Sequence, residues 1–150
     1  MKKIYLISND KIWFSNKKFT SNNDLNNIIT CLNEKYNLNL ICRKSKKKLS
    51  FSLDQKFDHY SFNQINEKRI NIFLVSITPY NFFVFLYLLL IKRLDVAGVV
   101  YLRSDGFIEY KIKYGIFGYY IYAFMFFFIK KKLSVLSCSK HFTNVNSKHV

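Results

Sequence analysis

The residues best suited to chemistry stand in one short run, Arg103-Ser104-Asp105-Gly106, with Glu109 shortly after it. The run joins a guanidinium, a hydroxyl and a carboxylate beside a flexible glycine. An arginine holds a phosphate or carboxylate through two parallel hydrogen bonds. Asp105 in such a loop can accept from a sugar hydroxyl or act as a base. The same residues also make an ordinary turn, with Asp105-Gly106 at the corner and an Arg103–Asp105 ion pair on the surface. A second polar pair, Asn9-Asp10, follows the first apolar run. Thr78-Pro79-Tyr80 and Ser137-Cys138-Ser139 follow two others.

Other chemistries lack their residues. The first apolar run leads into Asn9-Asp10-Lys11-Ile12-Trp13-Phe14, with no Gly-x-Gly-x-x-Gly, which argues against a dinucleotide-binding dehydrogenase. Four glycines leave no room for a Walker A loop. His59, His141 and His149 have no Cys or acid at metal-ligand spacing, so no metal site is expected. Cys31, Cys42 and Cys138 are odd in number and widely spaced, which argues against a disulfide framework and agrees with a reducing cytoplasm. Gly-x-Ser-x-Gly is absent. With 16 Phe and 11 Tyr the chain is no disordered segment.

The elements that must position the polar runs follow from the apolar pattern. Lys3–Ser8 reads as a first strand, followed by a polar loop over Asn9–Asn23. Asp24 can cap a helix from Leu25, because Leu25, Ile28, Ile29 and Leu32 recur with helical spacing; Asn37 can end it. Leu38–Cys42 reads as a strand closed by the basic turn Arg43–Lys48, and a short strand is expected around His59–Phe62. Asn71–Ile77 is a buried strand, Thr78-Pro79 opens a helix over Tyr80–Leu94, and Ala97–Leu102 is the next strand. A long aromatic segment covers Phe107–Lys132, with strands over Leu133–Ser137 and Phe142–Asn146. Branched apolar strands alternating with helical stretches predict one α/β domain with a parallel sheet flanked by helices. Ligands of such sheets bind at the carboxyl ends of the strands, where all four polar runs fall.

The chain is basic, with 24 Lys plus Arg against 9 Asp plus Glu and a net charge of +15. Residues 1–60 hold 12 basic and 5 acidic groups, net +7, and residues 61–150 hold 12 and 4, net +8. So the charge is spread, without a basic tail. Part of the lysine excess is also what AT-rich codons supply. A spread excess suits an anionic lipid or phosphate surface more than sequence-specific reading, and no nucleic-acid partner is expected.

Membrane contact is a separate question. Met1-Lys2-Lys3 precedes only four apolar residues, so no signal peptide is expected. Ile72–Ile91 is 20 residues without charge, long enough to span a bilayer, but Ser76, Thr78, Pro79 and Asn81 interrupt it as a strand-to-helix junction would. Tyr114–Ile129 is 16 uncharged residues between Lys111/Lys113 and Lys130-Lys131-Lys132. Its tyrosines, Tyr119 and Tyr120 among them, suit the headgroup level, and the flanking lysines suit anionic headgroups. The expectation is a membrane-facing helix over 107–132, partly packed on the sheet and partly dipping into lipid. A small two-span membrane protein without catalysis is the alternative. A basic α/β module for anionic ligands is a third reading.

The order of elements, together with the run Val99-Val-Tyr-Leu-Arg-Ser-Asp-Gly-Phe-Ile-Glu-Tyr110, the segment Gly115-Ile-Phe-Gly118 and the strand Leu133–Ser137, resembles the N-terminal, acceptor-binding domain of GT-B glycosyltransferases. The kind resembled is the family-4-like one of bacterial polysaccharide and lipopolysaccharide assembly. The resemblance implies a Rossmann-like parallel sheet flanked by helices, the N-terminal half of the GT-B fold. It implies that Arg103, Ser104, Asp105 and Glu109 line the acceptor side of a cleft beside Asn9 and Asp10, with Arg103 and Asp105 as candidate catalytic groups. It also implies a nucleotide-sugar donor for the complete enzyme, no cofactor in this chain, and a lipid-linked or glycan acceptor. The setting would be the inner face of the cytoplasmic membrane. Two features depart from the pattern. No Gly-Gly loop follows the first strand, and Glu34, Glu67 and Glu109 form no Glu-x7-Glu pair. Most of the donor site would therefore come from a C-terminal domain or a partner chain, and these 150 residues alone are expected not to transfer sugar.

Overall fold

The computed structural model describes residues 2–15, 18–48, 51–53, 58–59 and 61–137. The fold is α/β, a mixed sheet of mostly parallel strands flanked by helices. Its strands are β1 (Lys2–Ser15), β2 (Lys18–Ser21), β3 (Tyr36–Lys44), β4 (Phe51–Leu53), β5 (Asp58–His59), β6 (Arg69–Val75), β7 (Asp95–Leu102) and β8 (Ser134–Ser137); the helices are α1 (Asn23–Asn33), α2 (Pro79–Leu86) and α3 (Gly106–Lys130). The parallel strands lie in the order β5-β3-β1-β6-β7-β8. From β1 the chain crosses through α1 to β3 on one side; from β6 it crosses through α2 to β7 on the other. The strand order therefore reverses between β1 and β6, the position at which sheets of this kind offer a ligand site.

Alternation along the strands sends side chains to two cores. Tyr5, Ile7, Ile72, Leu74 and Val100 pack with Phe85 and Leu88 beyond α2's start and with Met125 and Ile129 of α3. Leu6, Leu38, Leu40 and Val75 pack on the other face with Leu25 and Ile29 of α1.

Several expected boundaries move. The stretch Asn9–Asn23 is no polar loop. β1 continues through it to Ser15, shifts register against β3 between Ser8 and Lys11, and pairs antiparallel with β2. Ile12 and Phe19 are the cause: both bury in the α1-side core, and their burial outweighs the loop preference of the surrounding Asn, Lys and Ser. Asn22, not Asp24, caps α1, its Oδ1 accepting from Leu25 N–H at 2.8 Å. Asp24 sits in the first turn, where a carboxylate complements the exposed N–H groups. Asn37 lies inside β3. Around His59–Phe62 the chain forms the two-residue β5 and a single 3-10 turn at Phe62–Gln64.

The second half holds two larger corrections. Pro79 occupies the first turn of α2 and Thr78 Oγ1 accepts from Asn81 N–H at 3.2 Å. The regular helix stops at Leu86; over Tyr87–Ile91 it widens to one π turn, closed by Lys92 N–H donating to Tyr87 O at 3.0 Å. Ile72–Ile91 is thus a strand, a junction and a short helix, and not one span. The aromatic segment over 107–132 is not one straight helix either. Gly115 has φ 65° and ψ −154°, a backbone that favours glycine, and the chain folds back there. Phe107 and Phe126 have ring centroids 5.4 Å apart, although 19 residues of straight helix would separate them by about 28 Å. Gly118 permits the close approach, because a Cβ there would lie 2.1 Å from the Tyr110 carbonyl oxygen. α3 is therefore a helical hairpin with arms 106–114 and 116–130. The strand expected at Phe142–Asn146, like Cys138, Ser139, His141 and His149, lies outside the described residues.

Candidate functional site

Beside the reversal of strand order stands a polar cluster built around Arg103, the first residue past β7. Its Nε donates to Ser76 Oγ at 3.2 Å. Its terminal nitrogens lie 3.2 Å from Asp10 Oδ2 and 4.0 Å from Asp24 Oδ2. One guanidinium thus ties together β1, the exit of β6, the exit of β7 and the first turn of α1.

Each partner is itself positioned. Asp10 accepts from Ser8 Oγ at 2.7 Å and from Asn22 Nδ2 at 3.0 Å. The α1 cap and the arginine anchor are therefore the same small network. Ser76 has φ 63°, a conformation unusual for a residue with a side chain. Its N–H donates to Tyr101 O at 2.8 Å, and the buried Asn81 amide donates to Val75 O at 2.6 Å and Ser76 O at 2.9 Å. Strain of this kind persists where the surroundings over-determine it, and it collects at functional sites. Asp10 is mostly buried and taken up by three donors, so it orients Arg103. Asp24 is 74% exposed and keeps its carboxylate open to solvent.

The expected residues divide accordingly. Arg103 and Asp10 come together. Asn9 stands next to them and accepts from Arg43 Nη1 at 3.4 Å. Asp105 does not pair with Arg103: its Oδ1 accepts from Phe107 N–H at 3.0 Å and Ile108 N–H at 3.3 Å, so it caps α3. The cause is local, since an Asp preceding a helix satisfies N–H groups that nothing else can reach. Ser104 is exposed, and Glu109 is exposed in the first turn of α3. Ser8, Asn22, Asp24, Ser76 and Asn81 were not anticipated. The one available signal was position, since Ser8 and Ser76 each follow an apolar strand.

Two cavities lie between the end of β3, the 61–64 turn and α2, and Phe62 and Tyr80 line both. The first, about 490 Å³, is polar and lined by Arg43, Lys44, Ser61, Gln64 and Cys42. Burial, and then the charge of Asp10, pushes the Cys42 thiol well above the usual range, so it stays protonated and is no nucleophile. Burial likewise pushes the Tyr80 phenol up, leaving it a donor. The second, about 500 Å³, is apolar and runs along α2 past Phe83, Leu86, Leu90 and Ile91.

The expected membrane-facing groups lie on the hairpin. Lys111, Lys113, Lys130, Lys131 and Lys132 are exposed, as are Tyr119 and Tyr120. Lys131 Nζ stands 4.1 Å from the Phe127 ring centroid and Lys113 Nζ 5.2 Å from that of Tyr114. Between them the bend is apolar and open to solvent, with Ile112 81% and Phe117 76% exposed. Gly106–Lys130 is long and apolar enough to cross a membrane by length and composition. Folded at Gly115, its arms reach only about 14 and 22 Å, short of a bilayer core of about 30 Å.

Among the described residues no group of three or more His, Cys, Asp or Glu side chains is placed to hold a metal ion. Family models, curated proteins and solved structures were compared with the chain, and none matches it.

Proposed function

We propose that this chain is a Rossmann-like acceptor-binding domain of a GT-B-type glycosyltransferase, peripheral on an anionic membrane face. One observation carries the reading. Asp10, at the register shift within β1, and Ser76, at the exit of β6, both meet Arg103 at the exit of β7, beside the reversal of strand order that an α/β sheet offers to a ligand. The sequence resemblance supports it, and so does the strand order. Arg103, held by Asp10 and Ser76, would present its guanidinium to an acceptor hydroxyl or phosphate, with Asp24 accepting a hydroxyl from the acceptor. Asp105 serves the helix start. Sugar transfer would then depend on this half chiefly for orientation, with leaving-group charge offset by groups of the donor half.

The exposed apolar bend of α3 with lysines at both ends supports membrane attachment. The strand-and-short-helix form of Ile72–Ile91 and the bend at Gly115 favour the peripheral reading over the two-span one.

The test is sugar transfer in membranes from cells producing the full-length protein. Lipid-extractable product from labelled nucleotide sugars should rise with the wild-type protein and fall at least tenfold with Arg103→Ala. Equal product with and without the protein overturns the enzymatic reading. Unchanged product with Arg103→Ala returns the arginine to a structural role.

A further inference from the structure

We propose that the Arg43–Lys44 cavity and the α2 groove together form one site for a phosphorylated single-chain lipid, the phosphate beside Arg43 and the chain along α2. The inference rests on the acceptor-binding reading and adds the substrate class and its location.

The two cavities differ in chemistry and meet at Phe62 and Tyr80. A ligand that fills both must be an amphiphile. Arg43 and Lys44 are exposed neighbours at the end of β3, and among the described residues that line the cavity the charged ones are both basic, so the head carries negative charge. Tyr80 stands at the junction as a protonated donor. Beyond it the groove runs to Ile91, about 16 Å at the helical rise. The groove lies open, with Phe83 67% and Ile91 69% exposed, so a chain can enter from the side.

The residues where the cavities meet are held in place. Phe62 packs edge-on against Tyr87 with ring centroids 5.0 Å apart. Ser61 N–H donates to Gln64 Oε1 at 3.0 Å, closing the turn that carries Phe62. Lys92 Nζ donates to Asn63 O at 2.8 Å and so ties that turn to the end of the helix. Phe83, Leu86, Tyr87, Leu90 and Ile91 recur at the spacing of one helix face, so the groove continues from the regular turns of α2 into the π turn at Tyr87–Ile91.

The site is continuous with its neighbours on both sides. Arg43 reaches Asn9, next to Asp10 and Arg103, so a bound phosphate would stand beside the polar cluster. Phe82, next to Phe83, has its ring centroid 6.0 Å from Phe124 and 6.4 Å from Phe128 on the hairpin. The helix that carries the groove is thus packed directly against the hairpin.

The experiment is calorimetric titration of the full chain with dodecyl phosphate, dodecanol and inorganic phosphate, each below its aggregation limit. Dodecyl phosphate should bind at least tenfold more tightly than either part. Arg43→Glu with Lys44→Glu should lower that affinity at least tenfold and leave dodecanol unchanged. Phe83→Ser with Leu90→Ser should weaken both lipids and leave inorganic phosphate unchanged. All four side chains are exposed, and an unchanged circular-dichroism melt checks the fold of each variant. Dodecyl phosphate binding no better than dodecanol, or indifferent to Arg43 and Lys44, overturns the proposal. Ile112→Ser with Phe117→Ser should leave the titration unchanged; a loss there places the lipid on the hairpin and also overturns it. None of these outcomes depends on sugar transfer, so the site can fail while the transferase reading stands, and the reverse.

Discussion

The two helical layers of the sheet are built differently. α1 is amphipathic: Leu25 and Ile29 face the sheet, while Asn27, Cys31 and Glu34 at its end face water. The α3 hairpin is apolar nearly all round. Met125, Phe126 and Ile129 are buried against the sheet, yet Ile112, Phe117 and Phe124 remain exposed. The first layer is complete with water as its neighbour. The second still presents an apolar surface bounded by lysines, which is what a peripheral membrane face requires. Apolar composition alone did not separate burial from exposure here; the position of a bend did.

The difference can be broken from either side. The largest effect belongs to the α1 layer. Leu25→Ala should lower stability by about 2–5 kcal/mol in urea unfolding and leave vesicle binding unchanged once the protein is folded. A parallel loss of vesicle binding by the folded variant would erase the distinction between the layers.

Gly118→Ala comes next. Its Cβ would meet the Tyr110 carbonyl oxygen, so the hairpin arms must part. Stability should fall by about 1–3 kcal/mol, and vesicle binding should change with it, unlike for Leu25→Ala. A neutral result in thermal unfolding would mean that the arms do not pack as closely as described.

Ile112→Ser with Phe117→Ser sharpens the comparison in the opposite direction. Both side chains are exposed, so stability should hold within about 0.5 kcal/mol. Sedimentation with phosphatidylserine vesicles should fall at least tenfold, about 1.4 kcal/mol, and binding of the wild type should weaken as salt rises. Unchanged sedimentation would leave the apolar bend without a membrane role.

The smallest effect lies outside both layers, at the amino ends of the strands. Glu67 pairs with Lys3 and accepts from Tyr5 Oη–H at 2.7 Å. The Lys3 bond is the main cause that lowers the Glu67 carboxyl from an ordinary 4.5 to about 2. Because the folded value lies below the unfolded one, the contribution is complete above pH 4.5 and fades as pH falls toward 2. The pair is about 40% exposed, so it is worth only about 0.5 kcal/mol. Glu67→Gln should flatten that part of the stability profile in acid unfolding; an equally steep profile would assign the slope to other carboxylates.

Much of this molecule follows from local sequence. Apolar runs with branched residues mark β6 and β7, although one face of each is covered only in part: Phe73, Val99 and Tyr101 are half-buried. Thr78-Pro79 marks the start of α2, since proline needs no N–H partner in a first turn. Arg103 was legible as a functional candidate because a cation directly after a buried strand must stand at the sheet's carboxyl edge. The tertiary structure decided what surrounds it. Asp105, two residues away, is taken by the helix it precedes. Asp10 and Asp24 arrive from 93 and 79 positions earlier because strand order places β1 between β3 and β6. The extension of β1 through Asn9–Ser15 was hidden because Ile12 and Phe19 find their core only once α1 is docked. The fold at Gly115 was hidden for the same reason: a glycine in a helical pattern permits a reversal, and only the packing of Phe107 on Phe126 makes it favourable.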